Sequence, residues 1–169
     1  MSAFSKAWKA TNWKQVGLNT IYLYSTCYCI NQHLGELIIC KGTSMMPTMH
    51  DGDVVVAEKL SIKRHNIWKN DIICATDPYN HRGLICKRVA NGPLDELDID
   101  QKYEFPLRRV PPGHCFLLGD HQEVSSDSRI FGPVPLGLIQ ARLVLRIWPL
   151  SRFGWVSTHS YKDETYKIS

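Results

Sequence analysis

From Glu36 onward the chain is a series of short apolar runs separated by turn residues, and this pattern constrains its fold more than any other feature. The runs include "ELIICKG", "GDVVVAEKL", "DIICATDP" and "GLICKRVANGP", followed after a polar stretch, "LDELDIDQKYEF", by "GHCFLLGD" and "GLIQARLVLRIWPL". Most are rich in β-branched residues and bounded by Gly, Asp or Pro, as strands are, and the polar stretch is typical of a hairpin. The sequence therefore predicts a mostly β fold, a β-sandwich or partly open barrel, rather than alternating βα units.

The first 36 residues differ from the rest. Lys6, Lys9 and Lys14 are followed by no acidic residue before Glu36, and residues 15–33 carry no formal charge. An acid-poor, aromatic-containing start is a weak mark of mitochondrial targeting. A membrane-spanning helix needs about 20 apolar residues, and polar residues dilute this run. Two alternatives stay open: a marginal membrane span, or an amphipathic helix that packs on a partner or lies at a membrane surface.

The length of 169 residues suits one folded domain with extensions. We expect a helical, membrane-associated segment over residues 1–36, a folded domain over residues 37–155 and a polar tail over residues 156–169 whose last ten residues are loose.

Charge and cysteine content argue against several classes of protein. The net charge of +4 comes from scattered Lys and Arg residues and not from the basic patch of a nucleic-acid-binding protein. The six cysteines have no framework spacing and no CxxC pair, and several lie in apolar runs. We expect the cysteines to be mostly reduced and buried. We also expect the protein to have no metal site and no nucleic-acid partner.

Ser44, in "GTSMMPT", is either a turn residue or a nucleophile. A serine hydroxyl needs a neighbouring base to take its proton and a backbone N–H to stabilise the oxyanion. The histidines lie in polar, turn-like contexts, and no G-x-S-x-G elbow occurs.

A buried lysine can act as the base, because desolvation lowers its pKa. In "LICKRV" the alternation of side chains places Lys87 on one face with Ile85 and Val89, whereas Arg88 lies on the other face and stays protonated. Lys87 is therefore the candidate base.

The loop "GDHQEVSSDSRIFGPV" contains acidic side chains and an arginine that can form charge-assisted hydrogen bonds. Asp, Ser and Gly are also ordinary turn residues. Taken alone, this loop is better explained as a structural turn.

Together these segments resemble the type I signal peptidases, which are serine-lysine proteases. "GTSMMPT" resembles the serine box of the family, "ICKRVANGP" the lysine box and "LLGD...SSDSRIFGPVP" the last conserved box. The similarity extends from Ile38 to Trp155. Within the family, "ICKRV" and "RIWPLSRFGW" look most like the mitochondrial inner membrane branch.

The resemblance implies a role for each matched position. Ser44 would be the nucleophile, Lys87 the general base, and Ser125 the residue that orients Lys87. A supporting network would contain Asp120, Asp127 and Arg129. Met45 would line the pocket for the residue before the scissile bond. Cys40 and Cys86 would line the same pocket, and only their places in the neighbouring strands suggest this.

Some positions depart from the family pattern. Gly42 stands where bacterial members often carry a serine that donates to the oxyanion, so the Ser44 N–H would carry more of that role. Thr43 and Met46 stand where mitochondrial relatives tend to have Pro and Glu, and His121 replaces the usual Asn. Nucleophile and base are both retained, so we expect an active enzyme.

The resemblance implies an endopeptidase of the mitochondrial inner membrane that faces the intermembrane space and removes hydrophobic sorting signals from precursor proteins. It implies no metal or organic cofactor, and a second catalytic subunit as partner in a heterodimer. A self-cleaving repressor would need an upstream DNA-binding domain and an Ala-Gly cleavage site, and the sequence offers neither. The remaining alternative is a non-catalytic subunit that stabilises a catalytic partner.

Overall fold

The computed structural model describes residues 12–33, 35–64, 66–80, 83–97, 107–156 and 167–168. The chain divides into two compact units, residues 1–34 and 35–169. The described part of the first unit contains one helix, α1 (Trp13–His33). None of the helices in the described segments combines the length and the apolar composition that crossing a bilayer requires.

The second unit is mostly β, as the series of short apolar runs predicts. Its described part contains two single-turn α-helices, α2 (Leu60–Lys63) and α3 (Ser128–Phe131), and two 3-10 turns, Leu136–Leu138 and Leu150–Arg152. Its described strands are β1 (Gly35–Ile39), β2 (Val54–Glu58), β3 (Ile67–Trp68), β4 (Ile72–Thr76), β5 (Leu84–Asn91), β6 (His114–Leu118), β7 (Val134–Pro135), β8 (Ile139–Trp148), β9 (Gly154–Trp155) and β10 (Lys167–Ile168).

The main sheet has the strand order β1-β2-β8-β4-β5-β6-β7, with β9 paired to β8. Neighbouring strands run antiparallel, and register shifts interrupt β2–β8, β4–β8 and β5–β6. Such bulges bend strands and increase their twist. Cys86 in β5 packs against the buried cluster that contains Cys40, just after β1, although three strands separate β1 from β5 in the sheet order. The sheet therefore curls into a half-barrel, which confirms the prediction of a partly open barrel.

The apolar core lies on both faces of β4, where Ile72 to Ala75 are all buried. One buried cluster contains Cys74 and packs around Val55, Ala57 and Leu143. The other contains Ile73 and Ala75, with side chains from β5, β6 and β7. In β2 buried and half-buried side chains alternate, because one face of the strand meets this core and the other does not.

Two local features differ from the sequence-based expectation. "GDVVVAEKL" does not continue as a strand to its end, because the Glu58 carboxylate accepts the Ser61 N–H at 2.9 Å and a helical turn begins there. In the tail, Lys167 and Ile168 pair with β3 instead of being loose, since β3 supplies the backbone partners. Residues 157–166 and most of the expected hairpin in "LDELDIDQKYEF" lie outside the described residues.

Candidate active site

A cleft of about 330 Å³ opens between the stretch that follows β1 and the beginning of β5. Residues 38–42 line it on one side and residues 84–87 on the other, with Ser44, Met45, Met49, His50 and Cys74. The fold thus brings Ser44 and Lys87 into one cleft, together with the three residues expected to contact substrate, Met45, Cys40 and Cys86.

Lys87 is buried in β5, with 4% of its surface exposed. Its Nζ donates a hydrogen bond to Ser125 Oγ at 3.0 Å. Burial lowers the pKa of Lys87 below its usual value of 10.5, because desolvation disfavours the ammonium form, and the negative charge of Asp127 offsets only part of that effect. Among the described residues, no hydrogen bond joins this amine to the Ser44 hydroxyl. Apo active sites often have such loose geometry before substrate binds.

Ser44 lies in the turn that connects β1 to β2. Its carbonyl oxygen accepts the His121 N–H at 3.0 Å, which ties the turn to the loop after β6. Gly42, two residues earlier, has a positive φ of 89° and donates its N–H to Asp51 Oδ1 at 2.8 Å. Within the described part of the chain the Ser44 N–H has no acceptor, so it is available to an oxyanion.

The end of this turn is fixed by Asp53, which is fully buried. Its carboxylate pairs with Arg152 at 2.7 Å and Arg146 at 3.3 Å, and it accepts the His50 N–H at 3.0 Å. Arg146, in β8, also donates to the Thr48 carbonyl at 2.8 Å. The motifs in the sequence do not predict this cluster. Its signal was an acidic residue directly before the apolar run of β2, together with two arginines in "RIWPLSRFGW".

Behind Ser125, Asp127 and Arg129 form an ion pair at 2.8 Å, and Asp127 caps α3. The Asp127 carboxylate accepts hydrogen bonds from the Gly119 N–H at 3.0 Å and from Ser125. Burial alone would raise the pKa of Asp127, but these bonds and those from Arg129 outweigh it, so the pKa lies below its usual range. Ser125 thus accepts from Lys87 and donates to an ionised Asp127.

Asp120 lies in a separate network. Its carboxylate receives two hydrogen bonds from Arg88, at 2.7 and 2.6 Å, and one from the Thr48 hydroxyl. Burial opposes ionisation, but the Arg88 and Thr48 hydrogen bonds hold the pKa of Asp120 below its usual range. The expectation had placed Asp120 beside the Asp127–Arg129 pair and had given Arg88 no role. In the structure Arg88 and Asp120 connect the lysine strand, the serine turn and the loop after β6.

Gly119, just after β6, lies close to both Ser125 and the serine turn. A Cβ added there would overlap Ser125 Oγ and lie 2.6 Å from the Ser44 carbonyl oxygen. Only glycine fits this position without displacing its neighbours.

Five of the cleft residues contain sulfur: Cys40, Met45, Met49, Cys74 and Cys86. Met45 is 4% and Cys40 6% exposed, while Cys86 is half-buried. All six cysteines are free thiols, and only Cys27 and Cys29, on α1, are exposed. Cys40, Cys74 and Cys115 are buried and Cys86 is half-buried, so half of the cysteines are buried, fewer than the sequence predicts. His50, which sequence analysis set aside, also lines the cleft, and its Nδ1 is buried without a partner among the described residues.

Comparisons with known proteins agree on one family. The model of the signal peptidase, peptidase S26 family matches residues 13–103 and 95–148. The human protein named mitochondrial inner membrane protease subunit 1 is 36% identical over 151 residues, covering 86% of this chain and 91% of that protein. Its mouse counterpart is 39% identical, covering 81% of this chain and 84% of that protein.

A yeast protein named mitochondrial inner membrane protease subunit 2 is 36% identical, covering 74% of this chain and 75% of that protein. A crystal structure of a signal peptidase I from Enterococcus faecalis aligns with a TM-score of 0.35 and 23% identity, over 44% of this chain and 94% of that one. The assignment rests on the sequence matches, which span most of the chain. The chain belongs to the signal peptidase S26 family of serine proteases.

Proposed function

We propose that this chain is an endopeptidase in which Ser44 is the nucleophile and Lys87 the general base. The observation that carries the proposal is the buried Lys87 amine, held by Ser125 in the cleft that Ser44 also lines. A lysine can accept a proton only in its neutral form, and burial favours that form.

In this mechanism Lys87 takes the proton of the Ser44 hydroxyl as its oxygen attacks the scissile carbonyl. Lys87 then gives the proton to the leaving amine, and an acyl-enzyme remains on Ser44. Lys87 next takes a proton from water, and the hydroxide so formed releases the acyl group. The Ser44 N–H stabilises the oxyanion in both steps. Ser125 orients the amine, and the Asp127–Arg129 pair holds Ser125.

The substrate would bind as an added strand. Among the described strands, β1 pairs only with β2 and pairing between β5 and β6 begins at Arg88, so within that part of the chain the first half of β5 has a free edge. Both edges border the cleft. An extended peptide can use such unpaired N–H and C=O groups. Met45, with Cys40 and Cys86, would receive the side chain before the scissile bond.

An exposed apolar face supports membrane association. Leu37 and Ile39 in β1 pair with Val56 and Val54, which pair across β2 with Leu145 and Trp148 in β8. Partners in antiparallel strands point to the same side, so this side of the sheet is apolar. Leu37, Ile39, Trp148 and Trp155 on this side are exposed, as are Leu150 and Phe153 in the connection between Trp148 and Trp155; these six residues are here called the apolar face.

Ile39 also lines the cleft, so the apolar face borders the proposed active site. Large exposed apolar patches mark binding surfaces, and Trp side chains favour the membrane interface. A face that rests on lipid would bring the cleft close to the end of a membrane-inserted signal.

We place the protein at the mitochondrial inner membrane, where its relatives' names place them. The finer hypothesis is that the second unit faces the intermembrane space and removes hydrophobic sorting signals from precursors. The existence of relatives named subunit 1 and subunit 2 supports a second catalytic subunit as partner. The alternative is a non-catalytic subunit that keeps the fold to stabilise that partner.

Cleavage of a precursor with a hydrophobic sorting signal decides between the two functions. The protein in detergent, with and without its partner subunit, is compared with Ser44→Ala and Lys87→Met. Ser151→Ala and Lys63→Met make the same kinds of change outside the cleft and should cleave like the wild type. We expect Ser44→Ala and Lys87→Met each to abolish cleavage. Undiminished cleavage by both variants in the presence of the partner would assign the chemistry to the partner and leave this chain as a scaffold.

A further inference from the structure

Three thiols meet in the cleft, and the proposed mechanism uses none of them chemically. Cys40 follows β1, Cys74 lies in β4 and Cys86 in β5, and all three line the cleft with Ser44 and Lys87. Cys86 packs against the buried cluster that contains Cys40 and Cys74, and it is the register partner of Cys74. The sulfur atoms are therefore near neighbours, and all are free.

Of the two adjacent pairs, only Cys40 and Cys86 connect the two sides of the cleft. Cys40 belongs to the stretch after β1, and Cys86 to the free-edged beginning of β5. Cys74 is the register partner of Cys86 on the neighbouring strand, so a bond between those two would stay within one ladder. Cys86 is half-buried, whereas Cys40 is 6% and Cys74 1% exposed, so a small reagent in the cleft meets Cys86 first.

We propose that Cys40 and Cys86 form a reversible disulfide that closes the substrate cleft, which makes the pair a redox-controlled modification site of the protease. This inference rests on the proposed function of the cleft. The disulfide would regulate cleavage by blocking access of substrate to the cleft, without a change in Ser44 or Lys87.

The oxidant is a low-molecular-weight disulfide, RSSR. The Cys86 thiolate attacks one sulfur of RSSR, forming a mixed disulfide and releasing RS⁻. The Cys40 thiolate then attacks the Cys86 sulfur and releases the second RS⁻. In sum, two cysteine thiols lose two protons and two electrons, and RSSR is reduced to two RSH, which carry the two protons.

The disulfide and a bound substrate strand exclude each other on geometric grounds. A strand inserted between two others needs them about 9.5 Å apart, which is twice the spacing of neighbouring strands. A disulfide holds its two Cα atoms within about 4.4–6.8 Å. Oxidation would therefore draw the two sides of the cleft closer together than an inserted strand allows.

The surroundings of the two thiols make the exchange slow. The neighbouring Cys40 lowers the pKa of Cys86, but the neighbouring Cys74 and burial raise it to about 12. The proximity of Cys86, followed by burial, also raises the pKa of Cys40 above its usual value. Because only thiolates attack disulfides, the pair responds to sustained rather than brief oxidation.

The test uses the full chain in detergent, with Cys27→Ser and Cys29→Ser as a background that prevents disulfides between molecules. The protein is incubated with 2-hydroxyethyl disulfide, digested and mapped by mass spectrometry, while precursor cleavage is measured in parallel. We expect a Cys40–Cys86 cross-linked peptide, a loss of cleavage of about tenfold or more, and recovery with dithiothreitol.

Variants separate the steps. Cys40→Ala should stop at the mixed disulfide on Cys86, seen as a gain in mass. Cys86→Ala should form no cross-link, and its residual cleavage should not respond to the oxidant. Cys115→Ala removes a thiol that packs in the other core cluster, and it should respond to the oxidant like the background protein.

Absence of the cross-link in the background protein, a Cys74–Cys86 bond in its place, or undiminished cleavage by fully cross-linked protein would each overturn the inference. Peptide mapping does not depend on activity. A failure of Ser44-dependent cleavage in the reduced protein would therefore be recognised separately, as a failure of the proposed function.

Discussion

At the scale of single residues, the protonation state of Lys87 controls the proposed chemistry. Desolvation lowers the lysine pKa, and Asp127, linked to the lysine through Ser125, raises it part of the way back. The neutral fraction grows as pH rises, so the base becomes available on the alkaline side of this lowered pKa.

We therefore predict that cleavage rises with pH, about tenfold per unit below the Lys87 pKa, and levels off before pH 10.5, the usual lysine value. Asp127→Asn removes a negative charge that favours the ammonium form, so it should move the profile to lower pH. The measurement is single-turnover cleavage across the pH range. A flat profile under rate-limiting chemistry would contradict the assignment of Lys87 as base.

A second prediction at the scale of single residues concerns Gly119. Gly119→Ala would drive a methyl group into Ser125 Oγ and the Ser44 carbonyl. Small displacements of catalytic groups cost about 100-fold in rate, and overpacking costs about 1–3 kcal/mol of stability. The matched change Gly137→Ala, where a Cβ meets nothing within 4 Å, should leave both cleavage and stability near wild type. Equal effects of the two substitutions would show that the contact at Gly119 is unimportant.

At the scale of elements, the serine turn keeps its shape because buried charges tie it to β8 and to the turn after it. Asp53 joins Arg146 and Arg152, and Arg146 also reaches the carbonyl of Thr48. The Arg88–Asp120 pair ties the same turn to β5. These charged pairs therefore fix the turn that contains Ser44 to β5, to β8 and to the turn after β8.

Asp53→Asn should cost about 3 kcal/mol of unfolding free energy, because it leaves two arginines without their buried counter-charge. Glu96→Gln, which disrupts an ion pair whose side chains are 66% and 74% exposed, should cost less than about 1 kcal/mol. Urea denaturation of the wild type and of both variants measures these changes in unfolding free energy. A loss for Asp53→Asn no larger than that for Glu96→Gln would mean that the cluster does not stabilise the turn.

At the scale of the whole molecule, the second unit presents one apolar side beside its cleft. Replacing Trp148, Leu150, Phe153 and Trp155 with serine removes four of the six side chains of the apolar face. Burial of one such side chain in the membrane would contribute about 1.5–3 kcal/mol to the free energy of binding. The affinity for vesicles should therefore fall by at least about tenfold. Cosedimentation with phospholipid vesicles measures this, and cleavage of a short soluble peptide should persist.

The control replaces Tyr79 and Leu94, which are 72% and 64% exposed but do not belong to the apolar face, with serine. Vesicle binding should then stay at the wild-type level. Equal binding by the face variant and this control would remove the support that the apolar face gives to membrane association.

The sequence by itself determined the local features of this protein. Alternation and turn residues located most of the strands, because a strand that meets a core on one side must alternate along its length. The motifs around Ser44, Lys87 and Ser125 led to the family, because the order and spacing of the motifs survive in the sequence without knowledge of the fold.

Only the tertiary structure decided which charged groups pair and which sides of the strands are covered. Asp53 and Arg146 are 93 residues apart in the chain, and Arg88 and Asp120 are 32 apart. Local pattern carries no information about such partners, since the order of strands in the sheet chooses them. For the same reason only the curled sheet shows that Cys40 and Cys86 are neighbours and that an apolar face borders the cleft.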